Sequence, residues 1–192
     1  MSDARRASWE RRHREARAGA PEPSVAEMIA MLPRGRTLDL AAGTGRNALA
    51  LARAGFAVVA ADYSGAALAE IARAATAEEL WIAPVMADLT AGLPFREASF
   101  DAALNVNFLE RALIPEIIRV LRPGGALLFD TFLIDEAGVG HPRDPRFTLG
   151  HYELRGLLGA MELMRYREGL VEYASGRRAW RATALARRRE PG

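Results

Sequence analysis

Asp39, Gly43, Gly45 and Asp62 are the residues whose types and spacing could do chemistry. The first three lie within T-L-D-L-A-A-G-T-G-R-N-A, residues 37–48. The apolar run at 37–40 predicts a strand, and the Ala- and Leu-rich run at 47–54 predicts a helix. Between them, Gly43 and Gly45 let the backbone take conformations that side chains disfavour and approach a ligand closely. The free N–H groups that open the helix then point at whatever binds. A strand, a glycine turn and a helix in that order suit a nucleotide-like cofactor.

Charge narrows the choice of cofactor. Gly43, Gly45 and Ala48 satisfy G-x-G-x-x-G/A and Asp62 follows, so an NAD(P)-dependent reductase is one reading. Asp39 opposes it, because a buried acid at the carboxyl end of the first strand repels a pyrophosphate. S-adenosylmethionine has no phosphate and carries an ammonium and a cationic sulfonium beside its ribose. An acid at Asp39 then becomes favourable, and Asp62 can accept both ribose hydroxyls.

The elements that must position these residues alternate along the chain. Strands are expected at 37–40, 57–61, 80–86, 99–106 and 126–132, and helices at 47–54, 64–77 and 113–121, the last stopped by Arg122, Pro123, Gly124 and Gly125. Continuous apolar strands separated by helices imply a parallel sheet covered on both faces. Beyond 133 a Gly-, Pro- and charge-rich loop spans 135–150, long enough to be functional or mobile. A short helix at 153–159 and strands at 162–167 and 177–186 complete a doubly wound, mainly parallel seven-stranded α/β fold with an antiparallel C-terminal end. Upstream, residues 3–18 read as a polar helix with Trp9 and His13 on one face, either simple packing or a lid over a ligand. Ser24 is placed as the cap of a second helix, with Glu27 completing a capping box.

Composition excludes whole function classes. With 192 residues, 50% of them hydrophobic, there is one sizeable core. The expected division is an N-terminal helical cap, 1–33, on a cofactor-binding domain, 34–192. The formal charge is +2 and every one of the 26 basic residues is Arg. Without Lys there is no Schiff-base or P-loop lysine, and without Cys there is no thiolate nucleophile, disulfide or Cys-ligated metal. The Arg clusters at 5–17 and 187–189 raise an RNA-associated module as an alternative. The first cluster alternates with Asp3, Glu10 and Glu15, however, and reads as a solvated helix face. The charged start lacks a signal-peptide core, and no apolar run reaches the length of a membrane span. A cytoplasmic monomer or homodimer acting on a small molecule, without nucleic-acid or membrane partners, is the expectation.

The run Asp39-Leu40-Ala41-Ala42-Gly43-Thr44-Gly45 resembles the first motif of class I S-adenosylmethionine-dependent methyltransferases, with Ala41 where the first glycine is usual. Asp62, the Asp88-Leu89 pair, the strand Phe100-Asp101-Ala102-Ala103-Leu104 and the turn Leu121-Arg122-Pro123-Gly124-Gly125 follow in the family's order, so that the resemblance covers 36–132. It implies that Asp39 helps hold the amino-acid end of the cofactor, Asp62 the ribose, Asp88 with Leu89 the adenine, and that Asn105 and Val106 line the methionine side. Ala41, which narrows the room for the methionine moiety, is counted with Gly43, Gly45, Asn47 and Tyr63 among the cofactor-binding residues.

The runs Gly43-Thr44-Gly45-Arg46-Asn47, Asn107-Phe108-Leu109-Glu110-Arg111 and the segment 140–149 are similar to the small tellurite-resistance branch of that family. This resemblance implies a soft oxyanion acceptor such as tellurite or selenite. Arg111, Arg143 and Arg146 are candidate donors to such an anion. His13 and His141 are candidate proton acceptors for a neutral substrate. Three scattered His residues give no metal-binding spacing, and no metal is expected.

Overall fold

The computed structural model describes residues 18–135, 142 and 144–190. The expected N-terminal helix with Trp9 and His13 (apart from Ala18), together with His141 and Arg143, lies outside the described residues. The parallel strands are β1 (Arg36–Leu40), β2 (Ala57–Asp62), β3 (Ile82–Met86), β4 (Phe100–Val106) and β5 (Leu121–Phe132). With β6 (Met161–Glu172) and β7 (Arg178–Arg188) they form a seven-stranded sheet in the order β3-β2-β1-β4-β5-β7-β6. β7 runs antiparallel to both β5 and β6. The doubly wound architecture and its antiparallel end match the expectation from the alternating apolar runs.

Register explains why the glycine turn is a site. β1 is central, pairing Asp39 with Ala60 on one side and Leu104 on the other, and Leu40 with Ala61 and Asn105. The carboxyl ends of β1, β2 and β4 therefore finish level, with Asp39, Asp62 and Asn105 close to the same edge. Sheets of this topology bind ligands at such a crevice, where the strand order reverses.

Helices cover both faces. On one lie α1 (Pro23–Met28), α2 (Arg46–Arg53) and α3 (Gly65–Ala77), which bury Val25, Met28, Leu51 and Ile71 against Leu104, Leu128 and Leu185. On the other, α4 (Ile114–Val120) and α5 (Glu153–Leu157) bury Ile114, Ile117, Val120 and Leu154 against Leu38, Leu127 and Phe129. Each fully buried side chain of this size contributes about 1.5–3 kcal/mol of transfer free energy. Because α1 packs in the same cluster as α2 and the sheet, residues 22–32 share the core of the cofactor-binding region.

Two local expectations are corrected. Ser24 is not the cap of α1: the helix opens one residue earlier at Pro23, whose missing N–H is harmless there, and Glu22 holds the cap position. The Ser24 hydroxyl instead donates to Asp130, and Glu27 pairs with Arg167 at 3.3 Å. The Arg122–Gly125 turn does not precede β5 but is looped out of it, because pairing with β4 jumps from Phe100↔Leu121 to Ala102↔Ala126. A Cβ on Gly125 would sit 2.9 Å from the Arg122 carbonyl and 3.0 Å from that of Asp101. The close approach of backbone to backbone is what requires glycine there.

Candidate active site

At the end of β1 the chain turns through Ala41 and Gly43, both in the left-handed region with φ of 52° and 54°, into Gly45 and α2. Gly45 combines φ of 89° with close packing: an added Cβ would stand 2.6 Å from Ile71 Cγ1 of α3. Its glycine requirement is thus met by the fold itself, while the Gly43 N–H donates to Asp62 Oδ2 at 2.9 Å. The other Asp62 oxygen accepts from the Ser64 N–H at 2.9 Å, so the glycine turn and the start of α3 both hold this carboxylate in place. Each oxygen keeps a lone pair for a further donor.

Asp39 is buried, at 1% exposure. The Ala48 N–H in the first turn of α2 bonds its carboxylate, and among the described residues Oδ2 has no hydrogen-bond partner. Burial pushes its pKa up to about 7; Arg46 and the Ala48 N–H pull it down, and Asp62 adds to the rise. A buried carboxylate oxygen without a donor is costly, and a cationic ligand group at that oxygen would remove the cost. The donor set therefore fits the ammonium end of S-adenosylmethionine, with Asp62 suited to paired hydroxyls.

Around this edge the other expected residues are placed as follows. Asp88 accepts from the Thr90 N–H at 3.1 Å and its hydroxyl at 2.6 Å, fixing the 3-10 turn in which Leu89 is buried. Tyr63 is half-buried next to Asp62. Asn105, at 1% exposure, donates its amide N–H to the Phe108 carbonyl at 2.6 Å, and Val106 is buried behind it. Asn47 is already engaged, since its side-chain oxygen accepts the Glu22 N–H at 3.0 Å. It ties the start of α1 to the start of α2.

A buried charge cluster adjoins these strand ends. Arg181 on β7, 2% exposed, lies over the Phe132 ring at 4.4 Å and contacts Asp130 Oδ1 through Nε at 3.0 Å and Nη2 at 2.9 Å. Its Nη1 donates to Asn107 Oδ1 at 2.6 Å. Glu22, 1% exposed, accepts from Arg46, from the Tyr173 hydroxyl at 2.5 Å and from Asn107 at 3.4 Å, with Arg181 Nη2 3.8 Å away. Burial alone would raise the Glu22 carboxyl, but Arg181, the Tyr173 hydroxyl, Arg46 and Asn107 bring it below the usual carboxylate range. Tyr173 is pushed up to about 12 by burial, against the pull of Arg181 and with the Glu22 contact adding to the rise.

Residues 37–125 match the family model described as a methyltransferase domain. Over that stretch the chain is similar to methyltransferase domains, which supports the methyltransferase reading of the glycine turn over the dinucleotide one. A demethylmenaquinone methyltransferase of Clavibacter sepedonicus is 43% identical over 102 residues, covering 50% of this chain and 41% of that protein. Among solved structures, TehB from Haemophilus influenzae superposes with a TM-score of 0.74 at 24% identity, over 88% of this chain and 63% of that one. A 1,6-didemethyltoxoflavin-N1-methyltransferase of Burkholderia thailandensis, solved with 1,6-didemethyltoxoflavin and S-adenosylhomocysteine bound, superposes at 0.73 with 22% identity, over 97% and 87%. At these identities the superpositions establish the fold. The chain spans about half or less of the length of the curated relatives it matches.

Within the matched stretch, Arg111 is committed elsewhere. It holds Glu153 through Nε at 2.5 Å and Nη2 at 3.1 Å, and the Thr148 carbonyl at 3.0 Å, pinning the 3-10 turn before α4 to α5. Arg146 is exposed and pairs with Asp144. Neither presents an unengaged fork to the strand ends. Arg181 does reach them, and one signal could have found it: in R-A-W-R-A-T-A-L-A-R-R it shares a face with Thr183 and buried Leu185. An Arg followed by the small and apolar run 182–186 in a strand buried on both sides is a functional or structural marker.

Proposed function

We propose that this chain transfers a methyl group from S-adenosylmethionine to a small-molecule acceptor. The observation that carries the reading is the unpartnered, buried Oδ2 of Asp39 at the mouth of a glycine turn. When bound, the cofactor supplies a methyl group on positively charged sulfur, already activated for in-line displacement. Asp39 would hold its ammonium, Asp62 its ribose hydroxyls, and Asp88 with the Leu89 N–H its adenine. Asn105, fixed by Phe108, would line the methionine side with Val106. Aligning an activated donor with an acceptor supplies about 7–11 kcal/mol without a dedicated base.

The charges around the strand ends bear on the acceptor. Arg46 and Arg181 face Glu22 and Asp130, and Arg111 faces Glu153, so these three guanidinium groups are already matched with carboxylates. A soft oxyanion such as tellurite or selenite is supported by the sequence runs shared with the tellurite-resistance branch, and it would have to open one of these pairs. A neutral aromatic hydroxyl compound would not, and curated relatives are named for demethylmenaquinone. Cofactor-loaded protein challenged with oxyanions, phenols, quinols, thiols and amines, with methylated products read by mass spectrometry, separates the two. Calorimetry showing no heat with S-adenosylmethionine or S-adenosylhomocysteine at millimolar concentration would sink the function altogether.

A further inference from the structure

We infer that Glu22, outside the matched domain segment 37–125, sets the preference of the site for the positively charged methyl donor over its neutral demethylated product by neutralising Arg46. The inference rests on the cofactor reading above. Arg46 follows Gly45 and opens α2, and its charge is felt by Asp39. Any cation that settles at Asp39 is repelled by that guanidinium. Left alone, Arg46 would offset the attraction of the Asp39 carboxylate.

The fold answers this with a buried anion from a distant segment. Glu22 accepts from Arg46 through Oε2 while its own N–H donates to Asn47 at 3.0 Å, so both residues that begin α2 are held by it. The same Oε2 accepts from Asn107 at 3.4 Å, directly beyond the Val106 end of β4, and Oε1 accepts from Tyr173 at 2.5 Å. Glu22 thus spans the cofactor helix and the strand end expected to line the methionine side. Its side chain is 1% exposed, so its charge is little screened by solvent. S-adenosylmethionine and S-adenosylhomocysteine share the ammonium, carboxylate, ribose and adenine and differ in the sulfonium charge. Removing the Glu22 charge therefore penalises the donor more than the product. In the wild-type chain the same term weakens retention of product once the methyl group has left.

The test is calorimetry of both ligands at pH 8 with wild type, Glu22→Gln and Arg46→Gln. Glu22→Gln is expected to lower the affinity ratio of donor to product on the order of five- to tenfold, one charge acting through partly screened protein. Arg46→Gln, at a half-buried position, is expected to raise the ratio by a similar factor. If both variants weaken the two ligands equally, leaving the ratio unmoved, Glu22 is a structural tether and the inference falls. Should Glu22→Gln fail to give a cooperative thermal transition, the ratio in Arg46→Gln decides alone. Wild type binding neither ligand would overturn the cofactor reading, and this inference with it.

Discussion

Asp39 and Asp130 are two acids of similar burial, 1% and 3% exposed, on neighbouring parts of one sheet, and the fold treats them differently. Asp130 accepts from Ser24 with one oxygen and faces Arg181 with the other. Asp39 accepts a single backbone N–H and leaves Oδ2 bare. Burial raises the pKa of both, Arg181 opposing the rise at Asp130 and only partial compensation by Arg46 and the Ala48 N–H at Asp39. The difference separates structure from ligand binding. On the β5–β7 side, each buried carboxylate is matched by donors from distant segments, so the cluster locks α1, β5, β7 and the 173–177 turn together. On the β1–β2 side, a donor is withheld and the free energy of folding is lower for it, which is the usual mark of a place where a ligand completes the set.

The most severe way to break the comparison is Arg181→Met. It leaves Asp130 and Glu22 buried without their shared cation, a loss of about 3–5 kcal/mol in chemical denaturation. Asp130→Asn in the same background should recover part of it. A cost under about 1 kcal/mol would show that the cluster is not the lock described.

Asp39→Asn should do the reverse. Replacing a half-satisfied buried carboxylate by a neutral amide raises the melting temperature of the ligand-free protein, while affinity for S-adenosylmethionine falls about 10- to 100-fold with the loss of a charged hydrogen bond. Calorimetry and thermal melts on the same preparation check both signs. Loss of stability together with unchanged affinity would place Asp39 in the same class as Asp130.

The pH dependence sharpens the same contrast. The Asp39 pKa is about 7 in the folded chain against 3.8 ordinarily, so between these values the folded state holds the proton and the unfolded state does not. Ligand-free stability therefore falls as pH rises through that window and levels off above 7. A cationic ligand selects the ionised form. Its affinity should rise by up to about tenfold per unit until pH 7, and then flatten. Binding at pH 6 should release close to one proton, read from titration heats in buffers of different ionisation enthalpy, and Asp39→Asn should abolish the release.

The strands and helices were legible because their signals are local: apolar runs of strand length, Ala-rich helical runs, and glycines where backbone must cross backbone. The placement of Asp39 and Asp62 at strand ends beside the glycine turn was legible because an acid there is itself a local pattern. The Glu22 cluster was not, since Glu22 and Tyr173 are 151 residues apart and each looks like an ordinary surface residue in its own segment. Ser24 was misread for a related reason. Its hydroxyl satisfies the capping pattern in sequence but finds a stronger acceptor in Asp130, which only tertiary packing brings near. The Arg122–Gly125 turn was legible as a turn but not as a loop within β5, because Leu121 pairs with β4 ahead of a register jump that no composition reveals.

The smallest expected effect concerns Ala41, where the family's first motif ordinarily has glycine. Its φ of 52° places a Cβ-bearing residue in the left-handed region, which costs about 1–2 kcal/mol, while glycine there gives back about 0.5–1 kcal/mol through the entropy of the unfolded chain. Ala41→Gly should therefore raise stability by about 0.5 kcal/mol and leave cofactor affinity within about twofold. Gly45→Ala is the matched control, since φ of 89° and an Ile71 carbon 2.6 Å from the new methyl make it destabilising. If Ala41→Gly instead tightened the cofactor well beyond twofold, the Ala41 methyl would be pressing on the ligand. The bare oxygen of Asp39 would then share with Ala41 the task of fitting the methionine end, and the contrast with Asp130 would rest on shape as well as charge.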